Sequence, residues 1–296
     1  MNDYQNHPLA GAVSLDSAMT KLWDFYKKYF VGMYIISVIL ALLTNLASAG
    51  IDASMIQTVS DPEEMIQILK GMAGPYALVI VISLVFGVIL HAWVLERPLG
   101  EPGFPVTLLK KAAVALVPYL LVMIVMGTIG IILTAFGLVL LILPGFFAMF
   151  YIATVTMFSL PLTLAESRNP GQVLTRSFTL AHRNLWPNMG WVIVVMLIVL
   201  VISLVIGALL MVPFTGTFLK SFSNPEEATA LLDISRNPVY IALSSLATAL
   251  VTPVFPILAF ILYFRNRLDD VQEITVDDDE EGLKVEDLYP RMPDNQ

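Results

Sequence analysis

Long runs of apolar residues without a charged side chain dominate the chain, and short polar stretches separate them. A helix needs about 20 apolar residues to cross the roughly 30 Å hydrocarbon layer, because only an internally hydrogen-bonded backbone avoids unpaired polar groups in lipid. Five uncharged runs reach that length: Tyr29–Ile51, Gly71–Leu95, Ala112–Ala165, Asn184–Leu219 and Asn237–Phe264. The pattern therefore predicts membrane-spanning helices.

The third run is about twice as long as one span needs to be. Gly127, Gly130 and Gly137 offer places for a turn inside it, so we expect a tight hairpin of two helices. The chain is then an all-α polytopic membrane protein with six transmembrane helices. Composition agrees, since 57% of the residues are hydrophobic and only 14% are charged.

Two segments that directly precede a span have the pattern of amphipathic helices. From Pro170 to Trp186, one side carries Leu174, Phe178, Ala181 and Leu185, and the opposite side carries Arg176, Thr179 and Arg183. From Ser14 to Phe30, the corresponding sides carry Leu15, Met19, Leu22, Tyr26 and Phe30, and Lys21 and Lys28. We expect both segments to lie in the plane of the cytoplasmic membrane surface.

These segments also match each other, which indicates an internal duplication. At an offset of 155, Thr20-Lys21 corresponds to Thr175-Arg176, and Lys27-Lys28 corresponds to His182-Arg183. At an offset of 163, SDPEE at 60–64 corresponds to SNPEE at 223–227, and Pro75 corresponds to Pro238. The predicted organisation is a parallel repeat, with an N-terminal tail (1–13), repeat 1 (14–103), a central hairpin (104–169), repeat 2 (170–267) and an acidic tail (268–296).

Charge predicts the orientation of the chain in the membrane. Six spans that start inside place eleven basic residues on the cytoplasmic face and only three, Lys70, Lys220 and Arg236, on the other. Cytoplasmic loops are enriched in Lys and Arg, so both termini should be cytoplasmic. The net charge of −8 comes from the last 29 residues, which hold eleven acids against Lys284 and Arg291. We expect a disordered tail there, or else a segment that binds a protein partner through Leu288, Tyr289 and Pro290.

The stretch from Leu143 to Asn188 resembles the membrane domain found attached to some bacterial glycerophosphoryl diester phosphodiesterases and in stand-alone proteins. The resemblance rests on Pro144-Gly145, Pro161, Glu166, Pro170, Gly171, Arg176-Ser177, Arg183 and Trp186, and on Tyr263, Arg265 and Arg267 at the end of the last span. It implies a multi-pass protein of the bacterial plasma (inner) membrane without a catalytic domain. The final motif departs from that of the family, because no acid lies between Tyr263 and Arg265.

The motifs of the common hydrolases and nucleotide-binding proteins are missing. The sequence contains no H-E-x-x-H, no G-x-S-x-G and no phosphate-binding glycine loop. Three histidines lie far apart, and with no cysteine a thiolate metal site is excluded. We therefore predict no catalytic residue, no metal, no cofactor and no nucleic-acid partner, and we do not expect an enzyme.

Two hypotheses follow for function. In the first, Lys21, Lys28, Arg176 and Arg183 bind the headgroups of anionic phospholipids, and the protein is a scaffold that organises lipids or a partner. In the second, it is a transporter or flippase-like protein for a lipidic or hydrophobic cargo. Glu166 is expected to pair with Arg168, Arg176 or Arg183, or to contact a ligand. Pro144 is expected to kink the fourth span beside Gly145, which would make the pair a hinge.

Overall fold

The computed structural model describes residues 4, 6–11, 14–49, 51, 61–100, 104–216, 234 and 236–280. Within those ranges the chain forms eight α-helices and no strand. In chain order they are α1 (Leu15–Ser48), α2 (Pro62–Glu96), α3 (Phe104–Leu140), α4 (Ile142–Ala165), α5 (Pro170–Arg183), α6 (Leu185–Met211), α7 (Pro238–Val251) and α8 (Val254–Glu280).

Six helical segments are long and apolar enough to cross a membrane. They are Asp16–Ser48, Glu63–Leu99, Pro105–Leu140, Ile142–Ala165, Leu185–Phe214 and Pro238–Arg267. Large apolar side chains remain exposed along them, including Val201 and Leu204 on α6. Water would not solvate such surfaces well, whereas lipid chains would cover them. The prediction of an all-helical chain with six candidate spans is confirmed.

α8 occupies the centre of the bundle. Its residues from Ile257 to Phe264 are all buried, with exposed fractions of 3% or less, so no side of this stretch faces the surroundings. α1, α2, α4 and α5 pack around it. The core of the molecule therefore forms about its last apolar segment.

The last span is discontinuous, because α7 ends at Val251 and α8 begins at Val254. Pro253 lies in the gap and has no N–H for a helical hydrogen bond. Two tyrosines of α1 donate hydrogen bonds to backbone carbonyls of α7, the helix before this gap. Tyr26 donates to Leu250 at 2.7 Å, and Tyr34 donates to Leu246 at 3.3 Å. At its other end α8 continues to Glu280, into the tail that was predicted to be disordered, and 281–296 lie outside the described residues.

α3 and α4 form the predicted hairpin, but its turn is not at a glycine. The chain reverses at Leu141, which has an extended backbone (φ −168°, ψ 154°), and Gly127 and Gly130 lie inside α3. Gly137 has a different role, because a Cβ there would lie 2.8 Å from the Cα of Gly145. Gly137 and Gly145 allow the two helix backbones to approach closely. The sequence pattern wrongly placed the turn at the glycines of α3.

α5 is a separate short helix that starts at the Asn169 cap, whose side chain accepts from the N–H of Gly171 at 2.9 Å. It runs antiparallel to α4, since Ser177 lies 3.3 Å from Ser159 and the later residue His182 lies 3.3 Å from the earlier residue Tyr151. Its buried residues are Val173, Ser177, Leu180 and Ala181, whereas Leu174 and Phe178 are only partly buried. The buried face is thus shifted from the predicted stripe, because the helix packs on protein, and an orientation in the membrane plane stays a prediction.

The two predicted repeats share one break in the helix. α1 has non-helical angles at Tyr29 (φ −113°, ψ 15°), and Asn184, at an offset of 155, separates α5 from α6 (φ −132°, ψ 53°). The second offset gives no such agreement, because Pro75 lies inside α2 whereas Pro238 is the first residue of α7. The SNPEE segment falls outside the described residues, and the duplication stays a prediction.

Candidate functional site

Glu166 directly follows α4 and contacts two other helices. The Tyr263 hydroxyl donates a hydrogen bond of 2.8 Å to Glu166 Oε1, and Arg267 donates to the same hydroxyl at 3.2 Å. The Nε atoms of Arg176 and Arg267 lie 3.7 and 3.6 Å from the carboxylate oxygens. Glu166 therefore links the end of α4 to α5 and α8, as a structural partner of Arg176.

This cluster is well shielded but not buried. The Glu166 side chain is 17% exposed, and those of Arg267 and Arg176 are 20% and 34% exposed. One carboxylate faces two guanidinium groups. Its short contact is the tyrosine hydrogen bond, and the ion pairs beyond 3.5 Å are weaker attractions that solvent screens in part.

An open cleft of about 570 Å³ lies between α4 and α5 beside this cluster. We call it the α4–α5 cleft, and its lining residues are Leu162, Glu166, Ser167, Gly171, Gln172, Val173, Thr175, Arg176 and Thr179. Its polar groups are hydroxyls, one amide and the Glu166 carboxylate, which faces the Arg176 guanidinium.

A second open cleft of about 510 Å³ lies between α1 and α2, where α1 bends at Tyr29. We call it the kink cleft, and it is lined by Lys27, Lys28, Tyr29, Phe30, Val31, Gly32, Trp93 and Arg97. Three of these described residues are cationic, and none of those described is acidic. The kink cleft therefore presents basic side chains beside an apolar surface.

The structure distributes the four predicted headgroup residues over different environments. Lys21 donates to the carbonyl of Ala10, and Lys28 is exposed in the kink cleft. These two lysines also line a smaller cavity of about 220 Å³ together with Asp24. Arg176 lies in the α4–α5 cleft, and Arg183 precedes Asn184 at the end of α5. The four do not form a single site.

The predicted hinge has a different geometry. Pro144 is the third residue of α4, where a helix has no carbonyl partner for the missing N–H, so it does not interrupt or kink the span. Gly145 follows it and packs against α3, since a Cβ would lie 2.5 Å from Leu138 Cδ2. The pair closes the α3–α4 turn, and the break within a span is at Pro253 instead.

Three asparagines form a network that sequence reasoning missed. Asn266 of α8 and Asn188 of α6 exchange side-chain hydrogen bonds of 3.0 and 3.3 Å, and both are fully buried. Asn184 donates to Asn266 at 3.2 Å. In the sequence these asparagines are visible only as isolated amides within or beside apolar runs. Such a pattern does not show that Asn188 and Asn266, 78 positions apart, are partners.

Two more polar groups are buried near the start of the bundle. His7, in the segment predicted to be a tail, is 3% exposed, and its Nε2 lies 3.2 Å from the carbonyl oxygen of Val94. Burial lowers the pKa of His7 to about 4, although the hydrogen bond to Val94 raises it in part. Glu96 is 1% exposed and accepts from Lys111 at 2.7 Å, while its second oxygen has no partner.

No candidate metal site is found among the residues that the structure describes. None of these residues forms a group of three or more His, Asp or Glu side chains that would hold a metal ion. Comparison of the chain with family models, with curated proteins and with solved structures finds no match. The resemblance to the phosphodiesterase-associated membrane domain stays a prediction.

Proposed function

We propose that the protein is an integral membrane scaffold that interacts with anionic lipids through one basic end of its bundle. The observation that carries this proposal is the convergence of basic residues from separate helices around the end of the apolar part of α8, before the helix continues to Glu280. Arg176 and Arg267 flank Glu166 there, and the guanidinium of Arg265 lies 5.0 Å from the ring centroid of Trp191.

The N-terminal segment connects this region to the kink cleft. His7 contacts Val94 of α2, three residues before Arg97, and its ring lies 4.9 Å from that of Phe264 on α8. Basic residues of α1, α2, α5 and α8 therefore belong to one end of an otherwise apolar bundle. Such an end is suited to the negatively charged cytoplasmic leaflet, where each Lys or Arg near the surface contributes about 1 kcal/mol.

The test is the composition of the lipid that the protein retains. The protein is reconstituted in nanodiscs of equal phosphatidylglycerol and phosphatidylcholine, and the lipid bound after delipidation is measured by native mass spectrometry. We expect enrichment of phosphatidylglycerol, and its loss when Lys21, Lys28, Arg176 and Arg183 are all replaced by Gln. Retention of both lipids in the bulk ratio by the wild type would exclude the proposal.

Transport of a lipidic cargo is a second candidate, and the broken last span favours it. Discontinuous helices form the binding sites of many transporters. On α1, which packs against α7, the buried hydroxyls of Ser37 and Thr44 have no hydrogen-bond partner among the described residues. The hinge candidate for this function is Pro253 rather than Pro144. Flux of fluorescent lipids in proteoliposomes that falls with Pro253→Ala, and not with Pro144→Ala, would favour transport over the scaffold function.

A further inference from the structure

Residues 6–11 precede α1 and lie against the bundle, although they form no helix. His7 and Leu9 anchor this segment, since His7 is almost completely buried and Leu9 is fully buried. The ring of His7 lies 4.9 Å from that of Phe264 on α8 and 6.1 Å from that of Phe25 on α1. We call residues 6–11 the N-terminal strap.

The two nitrogens of the His7 imidazole have opposite roles in holding the strap. Nε2 lies 3.2 Å from the carbonyl oxygen of Val94, which can only accept, so Nε2 carries the proton and donates. Nδ1 accepts from the backbone N–H of Leu9 at 3.2 Å, so Nδ1 is unprotonated. The strap is therefore built around a neutral imidazole. A second proton, on Nδ1, would place two N–H donors against each other in a buried place.

The acids nearest in sequence to the contacts of His7 are engaged with other partners. Asp24 of α1 lies 3.1 Å from Lys27. Glu96 of α2 is buried and lies 2.7 Å from Lys111 of α3. Among the residues that the structure describes, none of these acids contacts the His7 ring. A protonated ring would gain no counter-charge from them in the present arrangement.

The other charged groups at this end of the bundle are mostly cations. Lys21 donates to the carbonyl of Ala10 and fastens the strap to α1. His91 of α2, whose ring lies 6.1 Å from that of Phe260, is bonded to the carbonyl of its own helix at Gly87. The remaining charged residues here on α1, α2 and α8 are the exposed acid Asp16 and the cations Lys28, Arg97, Arg265 and Arg267.

The position of the strap allows it to detach while the bundle stays folded. It precedes the first helix, so its release removes no helix from the packing. An open cavity of about 220 Å³ beside Pro8 brings solvent next to it. Protonation favours every state in which the imidazole is in water, and local release is the state that exposes the fewest buried groups.

We propose that the N-terminal strap is a proton-sensitive switch. A proton taken from solvent by Nδ1 of His7 breaks the hydrogen bond to the N–H of Leu9 and releases the strap. Its release uncovers an aromatic recess that Phe25 of α1 forms with Phe260 and Phe264 of α8. Loss of the proton restores both hydrogen bonds of the imidazole. This inference does not depend on the proposed function.

The experiment is hydrogen–deuterium exchange of the full-length protein in detergent at pH 7.5 and pH 5, with rates corrected for intrinsic exchange. Mass spectrometry follows one peptide that covers the strap and one that covers 257–264 of α8. His7→Gln is the matched variant, because the Gln amide donates and accepts as the neutral imidazole does but takes up no proton. His182→Gln removes an exposed imidazole elsewhere and is the control.

We expect the opening constant of the strap in the wild type to rise roughly 25-fold from pH 7.5 to pH 5, because burial lowers the pKa of His7 to about 4 from the value of 6.5 in water. His182→Gln should show the same rise, and His7→Gln should show none. The α8 peptide should stay protected in all three proteins.

A rise that persists in His7→Gln, or that disappears in His182→Gln, would overturn the assignment to His7. An unchanged opening constant in the wild type would mean that the folded strap accommodates the charged imidazole, as pairing with Glu96 would allow, and would overturn the switch. Joint loss of protection in α8 would show that the bundle unfolds as a whole, and it would overturn the switch equally. None of these outcomes bears on lipid retention, which tests the proposed function.

Discussion

Glu166 holds three helices together because its carboxylate oxygens face different partners. Oε1 accepts from Tyr263 and lies near Arg267, whereas Oε2 faces Arg176. Loss of the carboxylate removes the acid that both guanidinium groups face. The contributions of Tyr263 and Glu166 to the free energy of unfolding should therefore depend on each other, and a double-variant cycle measures that dependence.

We expect Tyr263→Phe to lower the free energy of unfolding by about 1 kcal/mol, and Glu166→Gln by about 1–2 kcal/mol after allowance for solvent screening. The double variant should lose less than the sum of the two, because Tyr263→Phe removes the hydrogen bond that Glu166→Gln weakens by taking away the acceptor's charge. Chemical unfolding in detergent measures each value. Tyr240→Phe serves as the control, and strict additivity would show that the two groups act independently.

Protonation of His7 makes the stability of the folded protein depend on pH. Its folded pKa of about 4 lies below the ordinary value of 6.5, so between these pH values the unfolded state binds more protons. The stability contribution is therefore complete above pH 6.5 and falls as pH decreases to about 4, by at most ~3 kcal/mol. Phe25 and Phe264 surround the ring and offer no charge to stabilise its protonated form.

The prediction is that the thermal midpoint of the wild type falls more steeply from pH 7.5 to pH 5 than that of His7→Gln. Other titrating groups are common to both proteins, so the difference between the two slopes isolates His7. Parallel slopes would mean that the imidazole takes up a proton as easily in the folded protein as in the unfolded one.

Polarity along the chain predicted that Glu166 pairs with Arg168, Arg176 or Arg183 or contacts a ligand, because a carboxylate that ends a long uncharged run needs a partner nearby. In the structure Arg176 lies 3.7 Å from it. The same approach could not predict Ser177 or Asn266 as buried residues. A hydroxyl or amide looks like a surface residue until its partner is known, and those partners lie on other helices. Burial of polar groups depends on tertiary contacts that local pattern does not encode.

At the scale of elements, the α3–α4 hairpin depends on close backbone contact. The helices meet at Gly137 and Gly145, where neither position has room for a methyl group. Run length predicted the hairpin, because its 54 uncharged residues exceed one membrane crossing. The turn was misplaced, because glycine favours both turns and close packing, and sequence alone does not distinguish these roles.

We expect Gly137→Ala to destabilise the hairpin by about 1–3 kcal/mol, because its Cβ would meet the Gly145 backbone at 2.8 Å. Gly127→Ala lies in the same helix with nothing within 4 Å, so it should be neutral or stabilise by up to about 1 kcal/mol. Thermal unfolding of the two variants in one detergent makes the comparison. Similar midpoints for both would contradict the close contact.

At the scale of the molecule, Arg176 and Arg267 meet at Glu166, whereas the excess of Lys and Arg on one side of the membrane stays a prediction. The packing of the helices could not be predicted from the sequence, because an apolar stripe contacts either lipid or protein and looks the same in both cases. The α5 stripe illustrates this, because its buried face packs on α4.

The chain has no cysteine, which makes its topology directly testable. We expect a cysteine in place of Lys110 to react with a membrane-impermeant maleimide only in inside-out vesicles, and one in place of Lys70 only in right-side-out vesicles. Both lysines are exposed, so access depends on the side of the membrane alone. Labelling of the two from the same side would rule out the six-span topology.

The central position of α8 has a consequence for biosynthesis. Among the helices described, the one that α1, α2, α4 and α5 surround is also the last to leave the ribosome. The earlier helices are therefore inserted before α8 is present, and the space between them stays unfilled. α8 packs against them only after synthesis passes Phe264. We expect a chain that stops after Val251 to be degraded rapidly in cells, and one that stops after Glu280 to accumulate normally, as pulse-chase labelling would measure.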